Sequence, residues 1–252
     1  MEKANQIQFK VYGKYALFSD PFTAAGSEKF SYMVPTYEAL KGICKSIYFK
    51  PTFQWYVDEV RIMKPIQTQV KGIRPINMAG GNSLSNYTYL YDVEYEVKAH
   101  FEWNEHHDEL AKDRDENKHY FIAKRMLERG GRRDIFLGTR ECYGYVEPCE
   151  FGKEEGYYDL IPEIPFGNMI YGFIYPDEYV REEEKNKLVV TLWEPKMEHG
   201  IIRFIRPEDC EIRRIVGEGK IKRFDKDNFS GLKEFEKEGD KFELDNETIR
   251  NL

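Results

Sequence analysis

Three side chains of this sequence could together carry out acid–base and electrostatic chemistry: Tyr48, Lys118 and His119. Histidine accepts or donates a proton near neutral pH, lysine stabilises developing negative charge, and tyrosine can orient a nucleophile or share in proton transfer. Such a set suits metal-free cleavage of RNA, in which the ribose 2′-hydroxyl attacks the adjacent phosphorus, the 5′-oxygen leaves and a 2′,3′-cyclic phosphate forms. Residue type and spacing alone favour a simpler interpretation, because a tyrosine at a helix end usually packs in the core and a Lys-His pair at a helix start is usually solvated.

These residues fall on two predicted amphipathic helices, recognised by apolar residues at three- and four-residue spacing. The first helix opens at Pro35, which a first helical turn tolerates, and has Tyr48 at its C-terminal end. The second runs over about 116–129, so that Lys118 and His119 lie in its first turn. A helix N-terminus also favours a bound phosphate.

Alternating apolar and polar residues predict four strands around these helices, near 7–11, 53–62, 87–103 and after 138–146, with a bulge in the second strand at Asp58-Glu59. The order strand, helix, strand, strand, helix, strand is the ferredoxin-like (RRM-like) βαββαβ arrangement of an α+β protein. In that arrangement the end of the first helix and the start of the second lie at the same end of the domain. Topology alone therefore predicts that Tyr48 meets Lys118 and His119.

The chain is expected to divide into two domains and a tail. Residues 1–155 form the predicted ferredoxin-like domain. Residues 156–216 contain short apolar segments, the last of them at 201–205, that are typical of a small antiparallel β-sheet. Residues 217–252 have mixed charge and weak periodicity, so we expect a polar tail without regular structure.

The net charge of −7 argues at first sight against nucleic acid, because phosphate contacts need lysine and arginine. The distribution of charge points the other way, since seven basic residues lie between positions 118 and 140 and only Glu128 and Asp134 oppose them. A solvated helix face could carry the same charges, but their one-sidedness favours an RNA backbone as the partner. Besides Lys118, the basic residues expected to bind RNA are Lys124, Arg125, Arg129, Arg132, Arg133 and Arg140.

The sequence predicts neither a metal site nor a cofactor. Its four cysteines form no CxxC pair, and His106-His107-Asp108 lies in a charged loop without a spaced partner motif, so we interpret it as solvated. The N-terminal residues MEKANQIQFK lack the apolar run of a signal peptide, and no stretch of about 18 apolar residues occurs. We therefore expect a cytoplasmic protein that does not enter a membrane.

Five blocks of the sequence resemble the CRISPR-associated Cas-five family, subtype I-C (once called Dvulg), of the RAMP superfamily of RNA-binding proteins. The blocks are YALFSDPFTAAGSEKFSYMVPTYEALKGICKSIYFKPT, MKPIQTQVKGIRPI, NYTYLYDVEYEVKAHFEW, DRDENKHYF and GGRRDIFLGTRECYGYVEPCEFG. The resemblance runs from about residue 6 to residue 215. It implies a ferredoxin-like N-terminal domain followed by a small C-terminal β-sheet.

The resemblance also implies an activity. Members of subtype I-C are metal-independent endoribonucleases that cut precursor CRISPR RNA at the 3′ base of each repeat hairpin. They then remain, bound to the mature guide RNA, in the type I-C surveillance complex with its backbone and large subunits. The tyrosine at the end of their first helix and the Lys-His pair at the start of their second correspond here to Tyr48, Lys118 and His119. The glycine-rich loop of the superfamily, which lies near bound RNA, corresponds to 138–144 and adds Gly138 to the expected RNA-binding residues.

One alternative stays open at this point. Most other Cas-five proteins are non-catalytic subunits that only hold the 5′ handle of the guide RNA, and such a subunit has no need of the Tyr/Lys/His set. The sequence also leaves open which of the three residues is the general base, and whether the basic face binds duplex DNA as well as RNA.

Overall fold

The computed structural model of the protein describes residues 5–24, 28–76, 78 and 80–224. The strands within these residues are β1 (Gln6–Ala16), β2 (Phe53–Ile62), β3 (Thr68–Ile73), β4 (Ser85–Trp103), β5 (Ile135–Phe136), β6 (Tyr143–Pro148), β7 (Glu163–Pro165), β8 (Met169–Ile174), β9 (Lys187–Trp193), β10 (Lys196–Glu198), β11 (Ile201–Arg203) and β12 (Ile212–Glu218). The α-helices are α1 (Pro21–Ala24), α2 (Tyr37–Ile47) and α3 (Glu116–Glu128), and short 3-10 helices lie at Asp108–Asp113, Glu182–Glu184 and Pro207–Asp209.

The strands form two antiparallel sheets. The larger has the order β5-β6-β1-β4-β2-β11-β10-β7, with β3 added alongside β4, and the smaller has the order β12-β9-β8. All pairings between the named strands are antiparallel. The α+β class expected from the sequence is therefore confirmed.

The main core lies between the larger sheet and the helices α2 and α3. Alternate residues of β1 point into it, because successive side chains of a strand face opposite sides of the sheet. The buried apolar side chains of this layer include Ile7, Phe9 and Val11 from β1, Leu40, Ile43, Cys44 and Ile47 from α2, and Ala123 and Leu127 from α3. The three- and four-residue spacing in the two helices thus corresponds to the faces that pack on the sheet.

The bulge predicted at Asp58-Glu59 is confirmed. The register between β2 and β4 shifts between Val57 and Glu59. Because one extra residue reverses the inward and outward alternation, Val57 and Val60 are both buried although they lie three positions apart.

The first strand extends beyond the predicted range of 7–11. β1 continues to Ala16, and Pro21–Ala24 forms one helical turn, while residues 25–27 lie outside the described part. Gly13 is a strand residue over which the Leu137 side chain packs. A Cβ atom at Gly13 would lie 2.6 Å from Leu137 Cδ1, so the glycine provides close packing rather than a turn.

Two further strands differ from the expectation. β3 was not predicted, because its side chains are largely exposed and carry little apolar alternation. Residues 201–205 were expected in the small sheet, but Ile201–Arg203 pairs with β2 and extends the larger sheet. Pairing partners so distant in sequence leave no local pattern. The predicted domain boundary after residue 155 stays a prediction.

The predicted tail begins later than expected, because Gly217 and Glu218 complete β12. Residues 225–252, most of the predicted tail, lie outside the described residues. Among the described residues, no helix combines the length and apolar character needed to cross a membrane.

The glycine-rich loop gives a stability prediction, because Gly138 has a φ of +93° and a Cβ there would lie 2.0 Å from Leu17 O. We expect Gly138→Ala to lower the free energy of unfolding by about 1–2 kcal/mol for the positive φ and by a further ~1–3 kcal/mol for the steric overlap. Gly130→Ala is the matched control, since Gly130 also has a positive φ of +83° but has open space around it. Equal losses in urea unfolding for the two variants would contradict this account.

Candidate functional site

Tyr48 and His119 meet at the junction of two helix termini. Tyr48 caps the C-terminus of α2, where its backbone N–H donates to Cys44 O at 3.0 Å. Asp115 caps the N-terminus of α3, its carboxylate accepting from the backbone N–H of Lys118 at 3.0 Å. The two caps bring the phenolic Oη of Tyr48 to 2.9 Å from His119 Nδ1. The contact expected from the order of strands and helices is thus present.

The hydrogen bonds of His119 define its tautomer. Its Nε2 lies 2.7 Å from the backbone carbonyl oxygen of Asp113. A carbonyl oxygen only accepts, so Nε2 carries the hydrogen and donates it. In the neutral ring Nδ1 is then the acceptor, and the hydroxyl of Tyr48 donates to it.

Both members of this pair are buried. The side chain of His119 is 0% exposed, and Tyr48 is 2% exposed. The rings of Phe53, Phe101 and Trp103 surround the imidazole, with centroids 5.3, 6.4 and 5.8 Å from its own. These rings form an aromatic wall on the core side of the imidazole, since Phe53 and Phe101 are themselves buried.

Burial raises the pKa of the Tyr48 hydroxyl to about 12. The carboxylate of Asp113 raises this pKa as well, whereas the guanidinium of Arg132 lowers it. Tyr48 accordingly remains a protonated hydrogen-bond donor at neutral pH. Its backbone is also held in place, because the indole N–H of Trp55 donates to the Tyr48 carbonyl at 2.7 Å.

Lys118 differs from the other two residues because its side chain is 47% exposed. Its ammonium group forms an ion pair with the carboxylate of Asp113. An anion in solution can therefore reach Lys118 directly. The arrangement as a whole is one exposed cation beside a covered acid–base pair.

A cavity of about 380 Å³ opens next to this group. It is bordered by the side chain of Asp113, by two lysines and by apolar surface. Its lining residues are Lys50, Pro51, Thr52, Leu110, Asp113, Lys222 and Phe224. Asp113 borders this cavity and also contacts His119, so the residue stands between the cavity and the covered pair.

Six basic residues were expected to bind RNA in addition to Lys118. All six are exposed, and none forms an ion pair with a described residue. They are Lys124, Arg125, Arg129, Arg132, Arg133 and Arg140. Cations without carboxylate partners are available for phosphates. Acidic residues elsewhere in the chain neutralise other lysines and arginines, as in the pair of Arg213 with Glu184.

Arg132 and Arg133 are bonded through their backbone to the end of α2, next to Tyr48. The backbone N–H of Arg132 donates to the carbonyls of Ser46 and Ile47 at 3.1 and 3.2 Å, and that of Arg133 donates to Ser46 at 3.0 Å. These bonds satisfy terminal carbonyls of α2, which otherwise have no partner within the helix. Both arginines are thereby fixed beside the helix end that carries Tyr48.

Gly138 and Arg140 lie elsewhere. The loop that contains them packs against Leu17, whose backbone N–H donates to Leu137 O at 2.9 Å. This contact lies beyond the C-terminal end of β1, whereas the aromatic residues around His119 lie near its N-terminal end, where Gln6 pairs with His100. The structure therefore does not bring these two residues to Tyr48, Lys118 and His119.

Sequence reasoning missed the role of the loop before α3. The interpretation of His106-His107-Asp108 as solvated is wrong for His107, which is buried and lies 3.0 Å from Glu109 through its Nδ1. Asp113 was given no role, although it contacts Lys118 and His119. A signal was present, since Asp113 and Asp115 both lie among the three residues that precede α3. Among the described residues, no group of three or more His, Cys, Asp or Glu side chains is arranged to hold a metal ion.

Removing the Tyr48 hydroxyl tests the buried hydrogen bond. We expect Tyr48→Phe to lower the free energy of unfolding by about 1–3 kcal/mol, because His119 Nδ1 would be left buried without a partner. Urea unfolding followed by circular dichroism measures the loss. Tyr157→Phe is the control, since this tyrosine is exposed and the same change there should have almost no effect. Equal stability of wild type and Tyr48→Phe would contradict the hydrogen bond.

Comparison with known proteins places the chain in a family. The family described as "CRISPR-associated protein (Cas_Cas5)" matches residues 6–205. A curated relative from Thermus thermophilus, named CRISPR pre-crRNA endoribonuclease Cas5d, is 26% identical over 189 residues, which cover 71% of this chain and 77% of the relative.

Two solved structures are also similar. One, described as a CRISPR-associated protein, is 35% identical with a TM-score of 0.71, and the match covers 85% of this chain and 98% of the other. The second, a functionally uncharacterized protein from Streptococcus mutans, is 37% identical with a TM-score of 0.65, covering 83% of this chain and 96% of the other. The chain therefore belongs to the Cas5 family of CRISPR-associated proteins, of the type named Cas5d.

Proposed function

We propose that this protein is a metal-independent endoribonuclease that cleaves precursor CRISPR RNA at the 3′ base of the repeat hairpin and then stays bound to the product as a subunit of the type I-C surveillance complex. The observation that carries the proposal is the 2.9 Å contact between Tyr48 and His119 beside Lys118. The name of the relative from Thermus thermophilus, a pre-crRNA endoribonuclease, supports the same activity.

The proposed reaction needs no group beyond these side chains and the RNA. The 2′-oxygen forms a bond to the adjacent phosphorus and gives up its proton to an acceptor, while the bond from phosphorus to the 5′-oxygen breaks and that oxygen takes up a proton. Lys118 stabilises the charge on the phosphorane. Tyr48 and His119 supply the proton acceptor and donor, since a proton can pass directly between Oη and Nδ1.

The proposed fold of residues 1–155 is ferredoxin-like. Its support is the order β6-β1-β4-β2 within the larger sheet, in which the first and third of the predicted strands lie in the middle. Helices α2 and α3 lie between the strands in the order that the split βαβ arrangement requires. The junction of the two helix termini then follows from topology.

RNA is the proposed substrate because exposed cations extend from the candidate site along α3 and flank the end of α2. Arg132 and Arg133 flank the end of α2, and Lys124, Arg125 and Arg129 follow one another along α3 and its C-terminal cap. These side chains fit a phosphate backbone that passes the exposed ammonium of Lys118.

A second candidate function is a subunit that only binds the 5′ handle of the guide RNA. The burial of the pair favours this alternative, since His119 is 0% exposed and a general acid or base must come within hydrogen-bond reach of the reacting oxygen. For the nuclease, RNA binding must expose the pair by displacing some of the groups that cover it. Cleavage assays separate the two functions.

Cleavage of a cognate repeat RNA in excess EDTA is the direct test. We expect cutting at the 3′ base of the hairpin stem, with a product that ends in a 2′,3′-cyclic phosphate. A 2′-deoxy nucleotide at the cut site should abolish the reaction, because the attacking oxygen is then absent. His119→Ala should cut at least about 100-fold more slowly and still bind the RNA.

The outcomes of this test are distinct. Activity that disappears in EDTA would rule out the metal-independent mechanism. Normal cutting by His119→Ala would rule out the assignment of the site. Tight binding without cutting by the wild type would favour the handle-binding subunit.

The contribution of the basic residues can be measured by the salt dependence of binding. In the His119→Ala background, we expect the double variant Arg132→Ala with Arg133→Ala to weaken RNA binding. It should also reduce the steepness of the slope of log K against log salt by about 1–2, because a protein that makes fewer phosphate contacts releases fewer counterions. Lys153→Ala with Lys185→Ala is the matched control, since these lysines already pair with Glu150 and Glu182. An equal reduction by both double variants would contradict the proposed interface.

A further inference from the structure

Asp113 contacts each side of the candidate site. It is the last residue of the 3-10 helix Asp108–Asp113. Its carboxylate accepts hydrogen bonds from the ammonium of Lys118 and, at 2.9 Å, from the hydroxyl of Thr52. Its backbone carbonyl accepts from His119 Nε2 at 2.7 Å, and its Oδ2 lies 3.5 Å from the same nitrogen. One residue therefore touches both the exposed cation and the covered imidazole.

The environment keeps this carboxyl group ionised. Burial by itself would raise the pKa of Asp113, but hydrogen bonds from Lys118 and Thr52, together with the positive charge of Lys118, outweigh burial and lower it. A carboxylate at this position is an acceptor only. It accepts from the ammonium group, while the shorter contact of His119 Nε2 is with the backbone carbonyl.

Hydrogen bonds and a ring contact hold the loop that contains Asp113 in place. The backbone N–H of Phe224 donates to Glu109 at 3.2 Å, and the Phe224 ring packs on His107 with centroids 5.2 Å apart. Within the loop, Arg114 Nη2 donates to the carbonyl of Asn104 at 3.0 Å. These contacts hold the loop from both of its ends, so Asp113 has a defined position.

We propose that Asp113 is a positioning residue for RNA cleavage: its carboxylate holds the Lys118 ammonium beside the Tyr48–His119 pair, and its backbone carbonyl sets the imidazole tautomer that leaves Nδ1 for Tyr48. This inference rests on the proposed endoribonuclease function. Asp113 acts through Lys118 and His119 and does not touch the reacting atoms. The residue also borders the cavity next to the site, where an RNA group that enters would meet Asp113 before His119.

Single-turnover cleavage by Asp113→Asn tests the proposal. The amide has the shape of the carboxylate and keeps the backbone carbonyl, but it lacks the charge that holds the ammonium. We expect the cleavage rate at saturating RNA to fall by about 10- to 100-fold, as for a catalytic group displaced by about 1 Å. The RNA concentration for half-maximal rate should change by less than about twofold.

A double-mutant cycle separates positioning from a purely structural role. If Asp113 acts by holding Lys118, then Asp113→Asn should cause almost no further loss in the Lys118→Ala background. A full additive loss, or a loss explained by a lowered melting temperature, would overturn the proposal. Should Asp113→Asn fail to fold, Thr52→Val removes one donor to the same carboxylate, and the proposal requires a smaller loss of rate that is again absent in the Lys118→Ala background.

Asp108→Asn is the matched control. Asp108 lies in the same 3-10 helix but is exposed, and its contact with Arg114 is a long 3.8 Å, so the cleavage rate should be unchanged. The proposed function fails if Lys118→Ala and His119→Ala cut as fast as the wild type. The positioning role alone fails if those variants are inactive while Asp113→Asn keeps the wild-type rate.

Discussion

Antiparallel pairing along β4 is the constraint on which the other features depend. This strand is 19 residues long and pairs with β1, β2 and β3. Its C-terminal residues Phe101 and Trp103 pack against the ring of His119. The register of one strand therefore determines where the aromatic wall of the candidate site lies. A shift of that register by one residue would turn these rings to the opposite face of the sheet.

Much of the architecture could be predicted from periodicity because the sheet and helices bury one face each. The helix ends are the clearest example, since the positions of Tyr48 and His119 followed from the order of strands and helices. The bulge beside Asp58 was visible as a break in alternation. Features without a buried face left no such pattern, and β3 was missed for that reason. Pairing of Ile201–Arg203 with β2 depends on a partner far away in the sequence, which no local window contains.

The candidate site was predicted in its main residues but not in its accessibility. Residue types and topology indicated that Tyr48, Lys118 and His119 could meet, whereas the burial of two of them depends on the wall formed by distant aromatic residues. The contacts of Asp113 could be predicted only in part, because this residue uses a backbone carbonyl as well as a side chain. A backbone group has no signature in sequence. Hydrogen bonds to loops are in general decided by three-dimensional packing.

The backbone hydrogen bonds between Arg132–Arg133 and the end of α2 have a mechanical consequence. They join the cations expected to hold phosphates to the helix terminus that carries Tyr48, through main-chain atoms and without an intervening flexible segment. A nucleic-acid strand bound by these arginines would therefore lie at a distance from Tyr48 that depends on the lengths of the side chains alone. In the proposed nuclease, the same backbone atoms that complete the helix would then set the distance between the bound phosphates and the cut position.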